Sequence, residues 1–247
     1  MSNTVYAFLL STMAGISTLI GFLFIFIKRD RKKLISSALG FASGVMFTVS
    51  ITDLIPNSFG LINASIIYKI FLILIANLTG IFLSSIIDTK VEKKSQNSPK
   101  LYKLGIMTML VIMMHNIPEG VATFITTTNN TKLGIILTIA IALHNIPEGI
   151  SISVPIYYST KSRLKAFIYT LISSLSEPFG ALISYLFLSK YINNTILGVI
   201  YSIISGMMIN ISINELYKES KNYNKKLTVI YFIIGSLIMV LNHLLFN

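Results

Sequence analysis

The sequence contains no cysteine, which excludes disulfides and thiolate metal ligands and leaves no sign of a redox compartment. Only 12% of its 247 residues are charged, about half the usual fraction in a soluble domain. It has three histidines and nine acids. No Walker-type phosphate loop is present, so ATP is not the energy source within this chain. The first apolar run has no basic segment before it and no small-residue cleavage site after it, so it is expected to stay as a helix. No polar stretch is long enough for a soluble domain. One membrane domain is expected to fill residues 1–247.

What the chain does have is apolar residues, 53% of the total, in blocks of about 20, the length that crosses a hydrocarbon core. The pattern predicts an all-α membrane protein with eight spans near 5–27, 34–55, 62–87, 104–126, 133–157, 165–188, 195–217 and 227–246. The longest connection, 88–103, is polar and is expected to be a mobile loop. The net charge of +11 does not indicate nucleic-acid binding, because the basic residues sit in short loops between apolar runs. The odd-numbered loops hold 17 of the 20, including Lys28, Arg29, Lys93, Lys103, Arg163 and Lys221, whereas Lys132 and Lys190 stand in the even ones. By the positive-inside rule the odd loops are cytoplasmic and both termini lie outside.

One hexapeptide occurs twice, as His115-Asn116-Ile117-Pro118-Glu119-Gly120 and as His144-Asn145-Ile146-Pro147-Glu148-Gly149. On a helix, positions i, i+1 and i+4 fall within about 100° of arc. His115, Asn116 and Glu119 therefore share one face, as do His144, Asn145 and Glu148. An imidazole and a carboxylate four residues apart can grip one ion. The pattern is a metal site, stated twice at membrane depth.

Five acids fall within predicted spans, where a charge is costly and needs a reason: Asp53, Glu119, Glu148, Glu177 and Glu215. Glu119, Glu148 and Glu177 are spaced by 29 and 29 residues, near the centres of three successive spans, so all three can meet at one depth. Each adjoins a proline (Pro118, Pro147, Pro178), which removes a helical hydrogen bond and kinks the axis. Pro118 and Pro147 would free the carbonyls of Met114 and Leu143 to help bind an ion or to allow bending. Asp53, near the outer end of span two, and Glu215, near the inner end of span seven, are candidates for gathering and releasing cations. The strip Ser36, Ser37, Gly40, Ser43 and Gly44 reads as close helix packing. His243 reads as structural or interfacial.

With these residues in hand, the chain resembles the ZIP (Zrt/Irt-like) divalent-metal transporters, and within them the bacterial zinc-uptake branch of ZupT type. The resemblance rests on eight spans, HNIPEG in spans four and five, and SLSEPFG in span six, and covers nearly the whole chain. It implies a ZIP-type helical bundle with a binuclear centre on helices 4, 5 and 6. Glu119, His144, Glu148 and His115 would bind the zinc-preferring position. Asn116, Glu119, Asn145, Glu148 and Glu177 would bind a neighbour associated with iron, with Glu119 and Glu148 bridging. It also implies two rigid helical groups, one sliding against the other. Two features depart from the family. The loop 88–103 has no histidine, and Asp53 stands where glutamate is expected in close relatives.

The expected function is secondary-type import of zinc, with Fe2+, Mn2+ and Co2+ as further substrates, because a donor set of N and O without thiolate suits these ions. The metal is cargo, and no cofactor is implied. The partners are divalent metal ions and the lipid bilayer of the bacterial cell membrane, with no nucleic acid. A homodimer is left open. The rival readings are an intramembrane di-iron carboxylate oxidoreductase and a proton-coupled carrier or channel for an organic substrate. The first favours Glu-x-x-His pairs, whereas the order here is His-x-x-x-Glu. Paired His/Asn/Glu faces argue against the second.

Overall fold

The computed structural model describes residues 2–95, 97–187 and 193–246. Among them, eight helices are long and apolar enough to cross a membrane. They are α1 (Asn3–Phe26), α2 (Arg31–Leu61), α3 (Ile66–Lys94), α4 (Lys100–Asn129), α5 (Thr131–Thr160), α6 (Arg163–Leu186), α7 (Asn194–Lys221) and α8 (Lys225–Phe246). The number of spans agrees with the hydropathy reading, but several ends differ. Residues 88–103 are not one long loop. α3 continues to Lys94 and α4 starts at Lys100. Helix formers make up most of 88–94, and Val91 and Leu101 are buried, so both ends pack as helix beyond the apolar stretch. Lys190, one of the two basic residues assigned to the even loops, lies outside the described residues.

Contacts between loops sort the chain into two ends. At one end Arg29 donates to the Tyr231 hydroxyl (3.2 Å), Arg31 to the Tyr158 carbonyl (3.1 Å) and Ser220 to the Ser36 carbonyl (2.8 Å). Lys100 pairs there with Glu219 at 2.7 Å. This joins every odd loop in one basic face. At the other end Asn3 reaches the Thr128 carbonyl, the Asn63 amide reaches Thr195, and His243 meets Asp53.

The helices pack as two groups. α1, α4, α5 and α6 form one, and α2, α3, α7 and α8 the other, with α2 leaning on α5 across the seam. The small-residue strip of α2 does what its composition suggests. A Cβ on Gly44 would land on the Phe232 carbonyl and one on Gly40 on that of Thr228, so α2 and α8 approach backbone to backbone.

α2 and α7 share an irregularity that periodicity does not reveal. Each opens into a π-helical stretch, Ser50–Leu54 in α2 and Ile211–Tyr217 in α7. Asp53 lies in the first and Glu215 in the second.

Candidate metal centre

The site begins with a tight hairpin. Asn130 alone separates α4 from α5, and its side-chain oxygen accepts from the amides of Lys132 and Leu133, capping α5. His115 lies 15 residues before this pivot and His144 lies 14 after it, so the two hexapeptides stand at the same height on neighbouring helices. Both helices run unbroken through their prolines. α6 does not. It breaks at Leu175 and restarts as Ser176–Leu186, which puts Glu177 in a first helical turn. Pro178 explains the break, since it lacks the N–H that would bond to the Ser174 carbonyl.

The final glycine of each motif proves to be a packing device. A Cβ on Gly120 would collide with the Glu177 carbonyl, and one on Gly180 with that of Ile117, so α4 and α6 lock together through two glycines. Gly149 meets the Thr18 carbonyl of α1 in the same way. The motif shows its chemistry in His, Asn and Glu, while the packing role of these glycines leaves no trace in the sequence.

The seven predicted residues are all buried. Four of them form one cluster. His144 Nε2 lies 3.1 Å from Glu119 Oε1, His115 Nε2 lies 3.2 Å from that oxygen, and His115 Nε2 lies 3.6 Å from Glu148 Oε1. One donor atom each from His115, Glu119 and His144 falls within 4.8 Å of the others. In a second, adjoining cluster Asn145 donates both to Glu177 (2.9 Å) and to the Ala14 carbonyl (3.0 Å). Asn116 is fully buried, and neither atom of its amide has a hydrogen bond.

Buried polar atoms normally find partners. Here 10 of the 18 buried side-chain N and O atoms without a hydrogen bond among the described residues belong to these seven side chains, both oxygens of Glu148 included. Two imidazoles and three carboxylates left so poorly satisfied at membrane depth match the demands of a bound cation better than those of a hydrogen-bonded core.

A cavity of about 70 Å³ reaches this cluster from the face opposite the basic one. Asp53, Asn57, Glu119, His144, Tyr201 and Asn242 line it. Asp53 is held by Thr52, which donates to it (2.7 Å), and by His243, whose Nδ1 lies 2.8 Å away. His243 is thus the partner of the acid at the cavity's mouth. Composition could not show this, because 190 residues separate the two. Glu215 lines a separate cavity of about 170 Å³ at the basic face, beside Asp88, Glu92 and Glu219, and this one ends at Leu104. Between the two cavities lie Met107, Val111 and Ile112 of α4 and Met207, Met208 and Ile211 of α7, all buried. Leu104 and His115 are about 16 Å apart along α4, so the apolar layer is some three turns thick.

A family model described as ZIP zinc transporter matches residues 84–243. Among curated proteins the chain is 41% identical to the zinc transporter ZupT of Streptococcus mutans, over 97% of both chains. It is 38% identical to that of Oceanobacillus iheyensis, again over 97% of both. With the protein of the same name from Clostridium perfringens it shares 36% identity, over 100% of this chain and 98% of that one.

Proposed function

Because the chain belongs to the ZIP family of zinc transporters, we propose that it is a multi-pass protein of a bacterial cell membrane that imports zinc through the centre on α4, α5 and α6. It is a transporter and not an enzyme, in keeping with the names of its relatives. The observation that carries the reading is the convergence of His115, Glu119 and His144 within 4.8 Å, buried and flanked by carboxylate oxygens without hydrogen bonds. Zinc takes such N and O donors, and Fe2+, Mn2+ and Co2+ are further substrates of the same donor chemistry. Radioactive zinc accumulation in cells making the chain, compared with empty-vector cells, tests the proposal. Equal accumulation would sink it.

The reading assigns two ion positions to the centre, which the two clusters support. His115, Glu119, His144 and Glu148 hold one ion. Asn116, Asn145 and Glu177, with Glu119 and Glu148 as bridges, hold its neighbour. The basic face is cytoplasmic, so the Asp53 cavity opens outward. In this conformation an ion can pass from Asp53 to His144, while the methionine-rich layer closes the way to Glu215. Sliding of the α1/α4/α5/α6 group against the other would part that layer and shut the outer cavity. Asp53 gathers cations at the mouth and Glu215 hands them on. Asp53→Lys places a positive charge there and is expected to raise the KM for zinc about tenfold by repelling the ion. An unchanged KM would remove Asp53 from the path.

The donors also set a pH dependence. Imidazole must be neutral and carboxylate ionised to bind a cation, so protons compete with zinc. Uptake at subsaturating zinc is expected to fall steadily as external pH drops from 7 to 5. A rise over that range would contradict a site built from these groups.

The di-iron reading finds no support in the arrangement. Only His115 and His144 stand at the centre, and His243 is engaged with Asp53 far along α8.

A further inference from the structure

Two apolar grooves lie end to end along the seam between the helical groups. The first, of about 240 Å³, runs between Ile150 of α5 and Phe24 of α1 on one side and Phe41 of α2 and Ile234 of α8 on the other. The second, of about 330 Å³, shares Phe24 and Phe41 with the first and continues past Pro147 to Leu245. Unlike the cavities at Asp53 and Glu215, their walls are almost wholly hydrocarbon.

The first groove has a polar end at the basic face. Arg29 lines it, and its guanidinium donates one hydrogen bond to the Tyr231 hydroxyl. No ion pair to Arg29 is found among the described residues. A guanidinium has five N–H donors in a fork that suits phosphate oxygens. Beside it, Ser37 is 5% exposed and lines the same groove, its hydroxyl next to the Tyr231 phenol. Lys28 on the same loop and Lys32 and Lys33 in the first turn of α2 are exposed, against the single acid Asp30, which caps α2 through the Lys33 amide. An apolar trough that ends in a guanidinium, a phenol and a buried hydroxyl under a positive field has the chemistry of a phospholipid site.

We propose that this groove holds one anionic glycerophospholipid from the leaflet at the basic face. Its phosphate sits on Arg29, its glycerol oxygens face Tyr231 and Ser37, and one acyl chain runs past Phe41. Both helical groups wall the groove, so the lipid is wedged in the seam that must open during transport. That last consequence rests on the transport reading, whereas the lipid site itself does not.

The test is native mass spectrometry of purified full-length protein in detergent, titrated with equal phosphatidylglycerol and phosphatidylcholine. The wild type is expected to retain phosphatidylglycerol about fivefold better, the weight of one basic residue against an anionic headgroup. Arg29→Gln should abolish that preference. Ile234→Trp, at a position 39% exposed on the groove wall, should lower retention of both lipids. Lys93→Gln, a basic residue away from the groove, should leave the preference intact. Equal retention of both lipids by the wild type, or an unaltered preference in Arg29→Gln, would overturn the proposal. So would a loss in Lys93→Gln as large as in Arg29→Gln. Zinc uptake is measured separately on the same variants, so failure of the lipid site and failure of the transport reading give different results.

Discussion

Cells making Glu148→Ala at the wild-type level in the membrane are expected to take up radioactive zinc at the empty-vector rate. Glu148 is 1% exposed, its carboxylate faces His115, and neither of its oxygens has a hydrogen bond. Alanine removes a donor shared by both proposed ion positions and half of the negative charge supplied by Glu119 and Glu148. Loss of a group that only orients a metal ligand costs 10–100-fold, so loss of a ligand itself should exceed about 100-fold. Glu148→Gln separates charge from shape, since it keeps the volume and one oxygen, and it should also lie near background. Wild-type uptake in either variant would end the case for this centre.

The second large effect belongs to a residue with no side chain. Gly120→Ala is expected to lower the unfolding temperature of the detergent-solubilised protein by about 5–10 °C, and zinc uptake with it. The added methyl would meet the Glu177 carbonyl, which is backbone and cannot rotate away. α4 and α6 must then separate, and because Gly180 locks the same pair from the other side, the strain is not shared out. Overpacking of this kind costs about 1–3 kcal/mol or more, which for a chain of this size gives a shift of that order. The separation also carries Glu177 away from Asn145, 2.9 Å distant. Gly60→Ala is the control, because nothing lies within 4 Å of a Cβ there. Equal stability of the two variants would show that the α4/α6 contact tolerates a methyl.

The spans and the buried cluster of His, Asn and Glu could be read from the sequence because both leave a strong one-dimensional trace. Apolar blocks of about 20 residues mark the helices. An unsolvated charge is so costly in lipid that Glu119, Glu148 and Glu177 stand out against their surroundings. The rest depends on what meets what across space. Gly120 and Gly149 look like helix-weakening residues until the carbonyls opposite them are seen. Pro178 announces a distortion, but not that α6 restarts just in time to give Glu177 a first-turn position. Hydropathy puts the polar ends of α3 and α4 in a loop because it marks where lipid stops, whereas helices can continue into water. Tyr201 and Asn242 line the cavity that leads to His144 and carry no motif at all.

The π-helical stretches around Asp53 and Glu215 have a mechanical consequence. Such a stretch holds one residue more per turn than the α-helix on either side, so it acts as a stored insertion. If the wide turn migrates by one position, a few hydrogen bonds trade partners, and the residues it crosses rotate by about 100° around the axis. Neither helix has to unwind or lengthen. α2 and α7 each carry such a swivel at an acid that lines one of the two cavities, and thus contain the means to aim a carboxylate into that cavity or out of it while the rest of the helix stays in place.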